Sequence, residues 1–256
     1  MREVTCENIS ETVAELCKNA NYHLNPDIKQ SLEDSIIRER SGTGRNILRS
    51  IIQNAEIADK KEVAICQDTG MVLAFVQVGQ DVHIEGGSIT DAINEGVRRG
   101  YKDGYMRCSV VEDPLRRKNT GDNTPAIIYY DIVPGDKVKI TVLPKGFGSE
   151  NMGGVKMLKP SQGEDGVKDF VVETVKSAGP NPCPPIVVGV GIGGSMDKAA
   201  LLSKVALARS ITERNSDKYY ADMETELLSR INTLDIGPAG LGGVTTALGV
   251  NIEAYP

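Results

Sequence analysis

The hydrophobic periodicity of the chain changes near residue 62, and this change limits the fold more than any other feature. Before it, apolar residues recur at helical spacing, as at Ile9, Val13 and Leu16, which predicts helices. After it, apolar runs of strand length, such as MVLAFVQVG, alternate with further helical stretches. This order predicts a mixed α/β fold, in which a helical N-terminal region precedes mixed sheets with flanking helices. We expect one domain over residues 1–256, with a possible subdomain edge near residue 62.

One stretch predicts two strands joined by a tight turn. The sequence AIIYYDIVPGDKVKITVLPKG places Pro-Gly-Asp at positions 134–136, between two apolar runs, and these residue types favour a turn. We therefore predict a β-hairpin. In its second strand, Val138, Ile140 and Val142 alternate with other residues, so this strand is expected to bury one face.

The charge of the chain argues against two classes of partner. The net charge is −6 at pH 7, whereas nucleic acids and anionic membrane surfaces attract basic faces. No run of eighteen apolar residues occurs, so no membrane-spanning helix is expected. The N-terminus MREVTCENIS has no apolar signal core. We therefore expect a cytoplasmic protein with neither a nucleic-acid nor a membrane partner.

The five cysteines do not form the pattern of a disulfide framework or a zinc ribbon. They are odd in number, widely spaced and without a C-x-x-C pair. The only histidines are His23 and His83, so a histidine-rich metal site and a Ser-His-Asp triad have little support. Cys17 falls on the apolar face of the first helix and is predicted to lie in the core.

The stretch NPCPPIVVGVGIGGS admits two interpretations. Gly189, Gly191 and Gly194 have the spacing of a dinucleotide-binding turn, with a strand before them and a helix after them. That motif also needs a second strand ending in an acidic residue about twenty residues on. Glu213 has this distance but follows and precedes helical sequence. We therefore favour the interpretation that these glycines let a strand-to-helix turn approach a neighbouring group closely. The prolines around Cys183 are interpreted as a rigid mount for its thiol.

Polar loops supply the remaining candidate residues. Cys66, Gln67 and Asp68 stand together in CQDTG, where an Asx turn made by Asp68 is the simpler alternative. Arg107 lies in a loop rich in arginine and asparagine, which could bind carboxylates or only face solvent. The segment PKGFGSEN combines glycines with Lys145 and Asn151, so its backbone amides could reach a ligand.

Four motifs occur in an order that resembles the class I, iron–sulfur fumarate hydratases: CQDTG, NTGDNTPA, PKGFGSEN and NPCPP. The closing segment GLGGVTTALGVNIE extends the resemblance over almost the whole chain. The chain is most similar to the alpha subunit of the two-subunit form, the fumarase N-terminal domain family, which L-tartrate dehydratase shares. The resemblance implies one fumarase alpha-type catalytic domain.

The resemblance also implies a cofactor and a reaction. A [4Fe-4S] cluster is held by three cysteines, and Cys66 and Cys183 match two of them. Thiolates are suitable ligands for such clusters. By this resemblance, the open iron would act as a Lewis acid in the reversible dehydration of (S)-malate to fumarate, a step of the tricarboxylic acid cycle. L-tartrate is the alternative substrate. Asp68 matches a residue beside the substrate, where it could take part in proton transfer. Positions that match substrate-binding residues are Gln67, Arg107, Gly146, Gly148 and Asn151.

The same resemblance implies that part of the site lies outside this chain. A histidine and the third cluster cysteine are expected beyond the position of Pro256, so we expect the chain to be C-terminally truncated, with the cluster absent or incomplete and no activity alone. A fumarase-type beta subunit would complete the site for a small dicarboxylate, in an alpha/beta hetero-oligomer or a homo-oligomer. We expect Cys66 and Cys183 to approach each other, and Arg107 to face the same cleft as Asp68.

Two other functional classes stay open at this point. A nicotinamide-dependent dehydrogenase domain would require bound nucleotide, and the missing second strand counts against it. A non-catalytic scaffold subunit is compatible with a site that is completed elsewhere.

Overall fold

The computed structural model describes residues 1–256. The helices are α1 (Cys6–Tyr22), α2 (Pro26–Arg38), α3 (Gly42–Lys61), α4 (Ile89–Asp103), α5 (Phe147–Glu150), α6 (Gly163–Ala178), α7 (Met196–Leu207) and α8 (Lys218–Asn232). The strands are β1 (Arg2–Thr5), β2 (Met71–Gly79), β3 (Val82–Glu85), β4 (Ile127–Val133), β5 (Val138–Lys145), β6 (Ile186–Gly193) and β7 (Ala247–Tyr255). The predicted mixed α/β fold, with several small sheets and flanking helices, is confirmed.

The chain forms two compact units, and each is assembled from separate stretches of sequence. The first unit consists of Met1–Leu24 and Asn54–Phe147, and the second of Asn25–Gln53 and Gly148–Pro256. The chain therefore passes from one unit to the other inside α3. A single catalytic domain with a subdomain edge near residue 62 stays a prediction.

In the first unit, α1 and α4 cover one face of a three-stranded sheet. Ile9, Val13 and Cys17 of α1 pack in one buried cluster with apolar residues of β2 and α4. The two helices approach closely because α4 carries Gly96 at the contact, where a Cβ atom would lie 2.6 Å from the carbonyl oxygen of Ser10. The predicted core position of Cys17 is confirmed, since the residue is fully buried.

The predicted hairpin is wrong, because β2 lies between β4 and β5. The strand order of this sheet is β4-β2-β5, with β4 parallel and β5 antiparallel to β2. The turn after β4 instead contacts the end of β2, where the Gly79 amide donates to the carbonyl of Lys137 at 2.9 Å. The buried face predicted for β5 is confirmed, since Val138, Ile140 and Val142 pack against the core.

The second unit is built on a parallel pair, β6 and β7, covered by helices. Apolar residues of α6 and α8, such as Val171 and Leu227, pack with both strands in a second buried cluster. Helix α7 lies against β6 at a distance that only glycine permits. A Cβ atom on Gly189 would lie 2.2 Å from the Ser203 carbonyl oxygen, and one on Gly191 would lie 2.0 Å from that of Ala199. The close approach predicted for these glycines is thus to α7 itself.

Buried carboxylates hold two backbone segments of the second unit. Glu39 is 2% exposed, and its carboxylate accepts from the amides of Arg40, Ser41, Val244 and Thr245. It thereby fastens the segment that precedes β7. Buried backbone amides and carboxylate oxygens need hydrogen-bond partners. The carboxylate of Glu39 meets this need for four amides at once.

Glu224 of α8 acts on β7 in the same way. It is fully buried and accepts from the Ile252 amide at 2.8 Å. Arg209 pairs with Glu224 at 2.5 Å and donates to the Ile252 carbonyl at 3.1 Å. Asn215 donates to the same carbonyl at 2.8 Å. Side chains therefore satisfy both backbone groups of Ile252.

Local sequence signals account for the ends of several helices. Ser88 caps α4 by accepting from the Asp91 amide at 3.4 Å, and Pro26 is the first residue of α2. Gly179, with a φ of 54°, ends α6. The segment PKGFGSEN, predicted as a loop, contains the short helix α5. None of the helices combines the length and apolar character that crossing a membrane requires.

Replacement of Gly191 by alanine should destabilise the protein through the contact between β6 and α7. The added methyl would overlap the Ala199 carbonyl, and such overpacking costs about 1–3 kcal/mol of unfolding free energy. Gly42→Ala is the matched control, because a Cβ atom there meets nothing within 4 Å. Urea denaturation of both variants measures the difference. Equal stabilities would show that α7 can move away from β6 without loss.

Candidate active site

The loop of residues 66–70, between α3 and β2, carries three of the predicted site residues. Cys66 and Gln67 are exposed, and Asp68 is half-buried. The Cys66 thiol donates to Gln67 Oε1 at 3.4 Å, and its sulfur accepts from the Asp68 amide at 3.5 Å. The thiol therefore lies at the surface among polar groups.

Asp68 uses both carboxylate oxygens to accept from backbone amides. Its Oδ1 accepts from the Gly70 amide at 3.2 Å, and its Oδ2 accepts from the Phe147 amide at 3.0 Å. The first contact confirms the Asx turn that was the simpler interpretation. The second reaches beyond the turn to the glycine-rich segment, where a Cβ atom on Gly146 would lie 2.9 Å from Asp68 Oδ2. The carboxylate is thus fixed in place by two donors.

Sheet register explains why these two segments meet. Met71 at the start of β2 is opposite Lys145 at the end of β5. In an antiparallel pair, the residues before one strand and after the other emerge at the same end. A Cβ atom on Gly70 would lie 2.4 Å from the Lys145 backbone, and the positive φ of Gly70, 69°, also suits glycine. The register therefore places Asp68 beside Gly146.

The backbone of Arg107 lies next to the same loop. Thr69 Oγ1 donates to the Arg107 carbonyl at 3.0 Å, and the Tyr101 hydroxyl donates to the Thr69 carbonyl at 2.6 Å. Burial raises the pKa of the Tyr101 phenol above its ordinary value, so this group is a neutral donor. The guanidinium of Arg107 is exposed and forms no ion pair. That Arg107 faces a common cleft with Asp68 stays a prediction.

Asn123 links the loop of residues 66–70 to the segment of residues 107–109. It is fully buried, its Nδ2 donates to the Gly70 carbonyl at 3.0 Å, and its Oδ1 accepts from the Ser109 amide at 2.7 Å. Its φ of 60° lies in the left-handed region, which asparagine tolerates better than most residues. Asn123 is therefore a structural link between residues 69–70 and 107–109.

The second unit contains the other predicted thiol ligand, Cys183. The residue is exposed, has a φ of 56°, and its amide donates to the Pro180 carbonyl at 3.0 Å. A non-glycine residue in this region is uncommon and marks a position that its surroundings hold. The carbonyl of the following residue, Pro184, accepts from the Ala239 amide at 2.7 Å. The prolines and this contact restrain the backbone around Cys183, and its interpretation as a rigid mount for a thiolate stays a prediction.

Gly148 and Asn151 also lie in the second unit. A Cβ atom on Gly148 would lie 3.6 Å from the Asn181 carbonyl, so this glycine is close to the Cys183 loop. Asn151 is exposed and lines an open groove of about 460 Å³ with residues of α6, including Phe170 and Glu173. The first unit thus brings together Cys66, Gln67, Asp68, Gly146 and the backbone of Arg107, while Cys183, Gly148 and Asn151 belong to the second.

The five cysteines differ in their fitness as cluster ligands. Cys66 and Cys183 are free, exposed thiols on loops, which suits thiolate ligation. Burial raises the pKa of the Cys17 thiol to about 12, so Cys17 is unsuited to bind metal as a thiolate. Cys6 opens α1, and Cys108 is half-buried. No three histidine, cysteine, aspartate or glutamate side chains are grouped as metal ligands.

The arrangement after β6 does not follow the dinucleotide-binding pattern. Helix α7 is followed by a second helix, α8, and the next strand, β7, begins only at Ala247. The expectation that no second strand lies at the required distance is confirmed. Gly189 and Gly191 serve strand–helix packing.

Sequence reasoning missed Thr69 and Tyr101 as site-supporting residues. Tyr101 follows Val97 at helical spacing and resembles an ordinary core residue, and Thr69 is one residue of a polar loop. Their hydrogen bonds depend on contacts distant in sequence, so no local pattern could have identified them. The αL preference of asparagine within GDNTP was the available signal for Asn123.

Asn123→Asp should destabilise the first unit, because it replaces the donor to the Gly70 carbonyl with an oxygen. A buried, unsatisfied or repelling polar group costs about 1–3 kcal/mol, and more if charged. Asp tolerates the same backbone conformation, so strain does not contribute. Asn119→Asp is the control: Asn119 is exposed and donates to the Cys108 carbonyl at 2.9 Å, but water can replace that bond. Thermal unfolding compares the two, and an equal effect would contradict the linking role of Asn123.

Comparisons with known proteins agree with the motifs. A sequence model of the family described as fumarate hydratase (Fumerase) matches residues 10–256. A putative L(+)-tartrate dehydratase subunit alpha from Methanocaldococcus jannaschii is 46% identical over 251 residues, which cover 96% of this chain and 88% of that protein. The L(+)-tartrate dehydratase subunit alpha of Escherichia coli UTI89 is 33% identical over 257 residues, covering 99% of this chain and 84% of that protein.

The family match spans nearly the whole chain, and both relatives exceed the identity at which common descent is clear. The predicted family and the predicted enzymatic character are therefore confirmed. The chain belongs to the fumarate hydratase (Fumerase) family of hydro-lyases.

Proposed function

We propose that this chain is the alpha subunit of an iron–sulfur hydro-lyase that dehydrates L(+)-tartrate. The relative from E. coli is named L(+)-tartrate dehydratase subunit alpha, and the one from M. jannaschii carries the same name with the word putative. These names favour tartrate over (S)-malate, the substrate first expected from the family resemblance. Loss of water from tartrate gives an enol that tautomerises to oxaloacetate. The reaction breaks one C–H bond and one C–O bond and needs no redox partner.

The observation that carries the proposal is the fixed Asp68 carboxylate beside an exposed thiol. Two backbone amides hold the carboxylate of Asp68, and the Cys66 sulfur accepts from the backbone amide of Asp68. Dehydration requires a group that takes up or delivers a proton at a defined position. Asp68 is the proposed group, and the exposed amide of Gln67 is proposed to orient the substrate beside it.

The substrate's carboxylates require donors and positive charge. Arg107 is exposed and its backbone carbonyl accepts from Thr69 in the loop of Asp68. The planar fork of its guanidinium suits bidentate contact with a carboxylate. Gly146, Gly148 and Asn151 are the further proposed substrate-binding positions. Their glycines let backbone amides approach a ligand closely.

Cys66 and Cys183 are the proposed thiolate ligands of a [4Fe-4S] cluster. Both are exposed, free thiols, and the family as a whole implies the cofactor. When bound, the cluster supplies a Lewis acid that polarises the leaving hydroxyl. Cys66 and Cys183 would hold the cluster, and the proposed substrate-binding residues would orient the substrate.

The assembly is proposed from the names of the relatives. Because they are called alpha subunits, we propose that a beta subunit joins this chain in a hetero-oligomer and supplies further residues of the site. We also propose that the complex acts in the cytoplasm.

The complete alpha–beta complex, reconstituted anaerobically with iron and sulfide, should dehydrate L(+)-tartrate with a higher kcat/KM than (S)-malate. A site that hydrogen-bonds a substrate hydroxyl discriminates against the analogue lacking it, by up to about 10⁴–10⁵-fold. Steady-state rates with both diacids measure this ratio. A preference for malate would return the assignment to fumarate hydratase, and turnover of neither would contradict the proposed function.

Replacement of Cys66 or Cys183 by alanine in that complex should lower its iron and sulfide content, because each variant lacks one thiolate ligand. Cys108→Ala is the matched control, since Cys108 is a half-buried free thiol with no proposed ligand role. Iron and acid-labile sulfide analysis gives the result. Full cluster content in Cys66→Ala would exclude this residue as a ligand.

A further inference from the structure

Two successive side chains tie the loop of residues 66–70 to different parts of the first unit. Asp68 accepts from the Phe147 amide, after β5, at 3.0 Å. Thr69 turns the other way: it is 3% exposed, and its Oγ1 donates to the carbonyl of Arg107, after α4, at 3.0 Å. The dipeptide therefore spans the distance between the glycine-rich segment and the arginine segment.

Arg107 depends on its backbone for placement. Its guanidinium is exposed and forms no ion pair, so its side chain has no partner within the protein that fixes its direction. The backbone position then sets the region that the guanidinium can reach. Bidentate binding of a carboxylate has strict geometry, and small misplacements of a positioning group weaken binding and catalysis strongly.

The other contacts in this region hold the neighbours of Arg107. Asn123 bonds to Ser109 and Gly70, and Tyr101 holds the Thr69 carbonyl at 2.6 Å. Tyr101 thus holds the backbone of Thr69, while the side-chain hydroxyl of Thr69 donates to the Arg107 carbonyl. The Thr69 hydroxyl is therefore the group through which the loop contacts Arg107 directly.

We infer that the Thr69 hydroxyl positions Arg107 relative to Asp68, so that a substrate carboxylate bound by the arginine is in register with the proton-transfer group. The inference rests on the proposed function, because it takes Arg107 as the carboxylate ligand. Thr69 is a positioning residue that acts through the Arg107 backbone.

Thr69→Val and Thr69→Ser in the complete alpha–beta complex test the inference. Valine keeps the shape and removes the hydroxyl, whereas serine keeps the hydroxyl. Thr69→Val should raise KM for L(+)-tartrate roughly tenfold, which corresponds to about 1.4 kcal/mol. It should also lower kcat, because a carboxylate held out of register with Asp68 loses more stabilisation in the transition state than in the ground state. Thr69→Ser should restore most of the wild-type KM.

Thr120→Val is the matched control. Thr120 Oγ1 donates to the Val110 carbonyl at 3.3 Å, so the same hydroxyl-to-carbonyl contact is removed nearby without touching Arg107. Its KM should remain that of the wild type. Hydrogen–deuterium exchange of residues 105–109 adds a readout independent of turnover: Thr69→Val should exchange faster there, and Thr69→Ser should not.

Unchanged KM in Thr69→Val would overturn the inference, as would unchanged exchange. Loss of iron and kcat with KM unchanged would also overturn it, since Thr69 would then support the Cys66 loop and not Arg107. If the wild-type complex converts neither L(+)-tartrate nor (S)-malate, the proposed function fails. The exchange rates then still decide whether the hydroxyl holds the arginine segment.

Discussion

The antiparallel register of β2 on β5 is the constraint on which the candidate site depends. It sets Met71 opposite Lys145, so the loop before β2 and the glycine-rich segment after β5 meet at one end of the sheet. A slip of one residue would turn the buried face of β2 toward the opposite side. The apolar core beneath the sheet therefore protects the contact between Asp68 and Phe147, although neither residue belongs to that core.

The loop of residues 66–70 is held mainly through its backbone. Buried neutral donors, Tyr101 and Asn123, bind the carbonyls of Thr69 and Gly70. Neutral donors satisfy these carbonyls without bringing a buried charge close to the loop, and burying a charge without a partner is costly. The side chains of Cys66 and Gln67 stay exposed. Backbone anchoring and exposed side chains are thus separated within five consecutive residues.

Local signals in the sequence predicted most of the helices and β2, because helix periodicity, caps and apolar runs are properties of neighbouring residues. The hairpin prediction failed for the opposite reason: turn residues describe the chain between β4 and β5, but not the strand inserted between them. Strand β7 was missed, and so were the roles of Thr69 and Tyr101, which depend on partners far along the chain. The candidate site residues came from ordered motifs and family resemblance; the contacts of Asp68 came only from the structure.

The side chains that bond to the backbone amide and carbonyl of Ile252 also limit how β7 can associate with other proteins. An edge strand with free amides and carbonyls can accept a strand from another molecule, which leads to uncontrolled association. Glu224, Arg209 and Asn215 occupy both backbone groups at this position, so a foreign strand cannot form a continuous ladder past it. At this edge of β7, the backbone of Ile252 is therefore closed to pairing with a strand from another molecule.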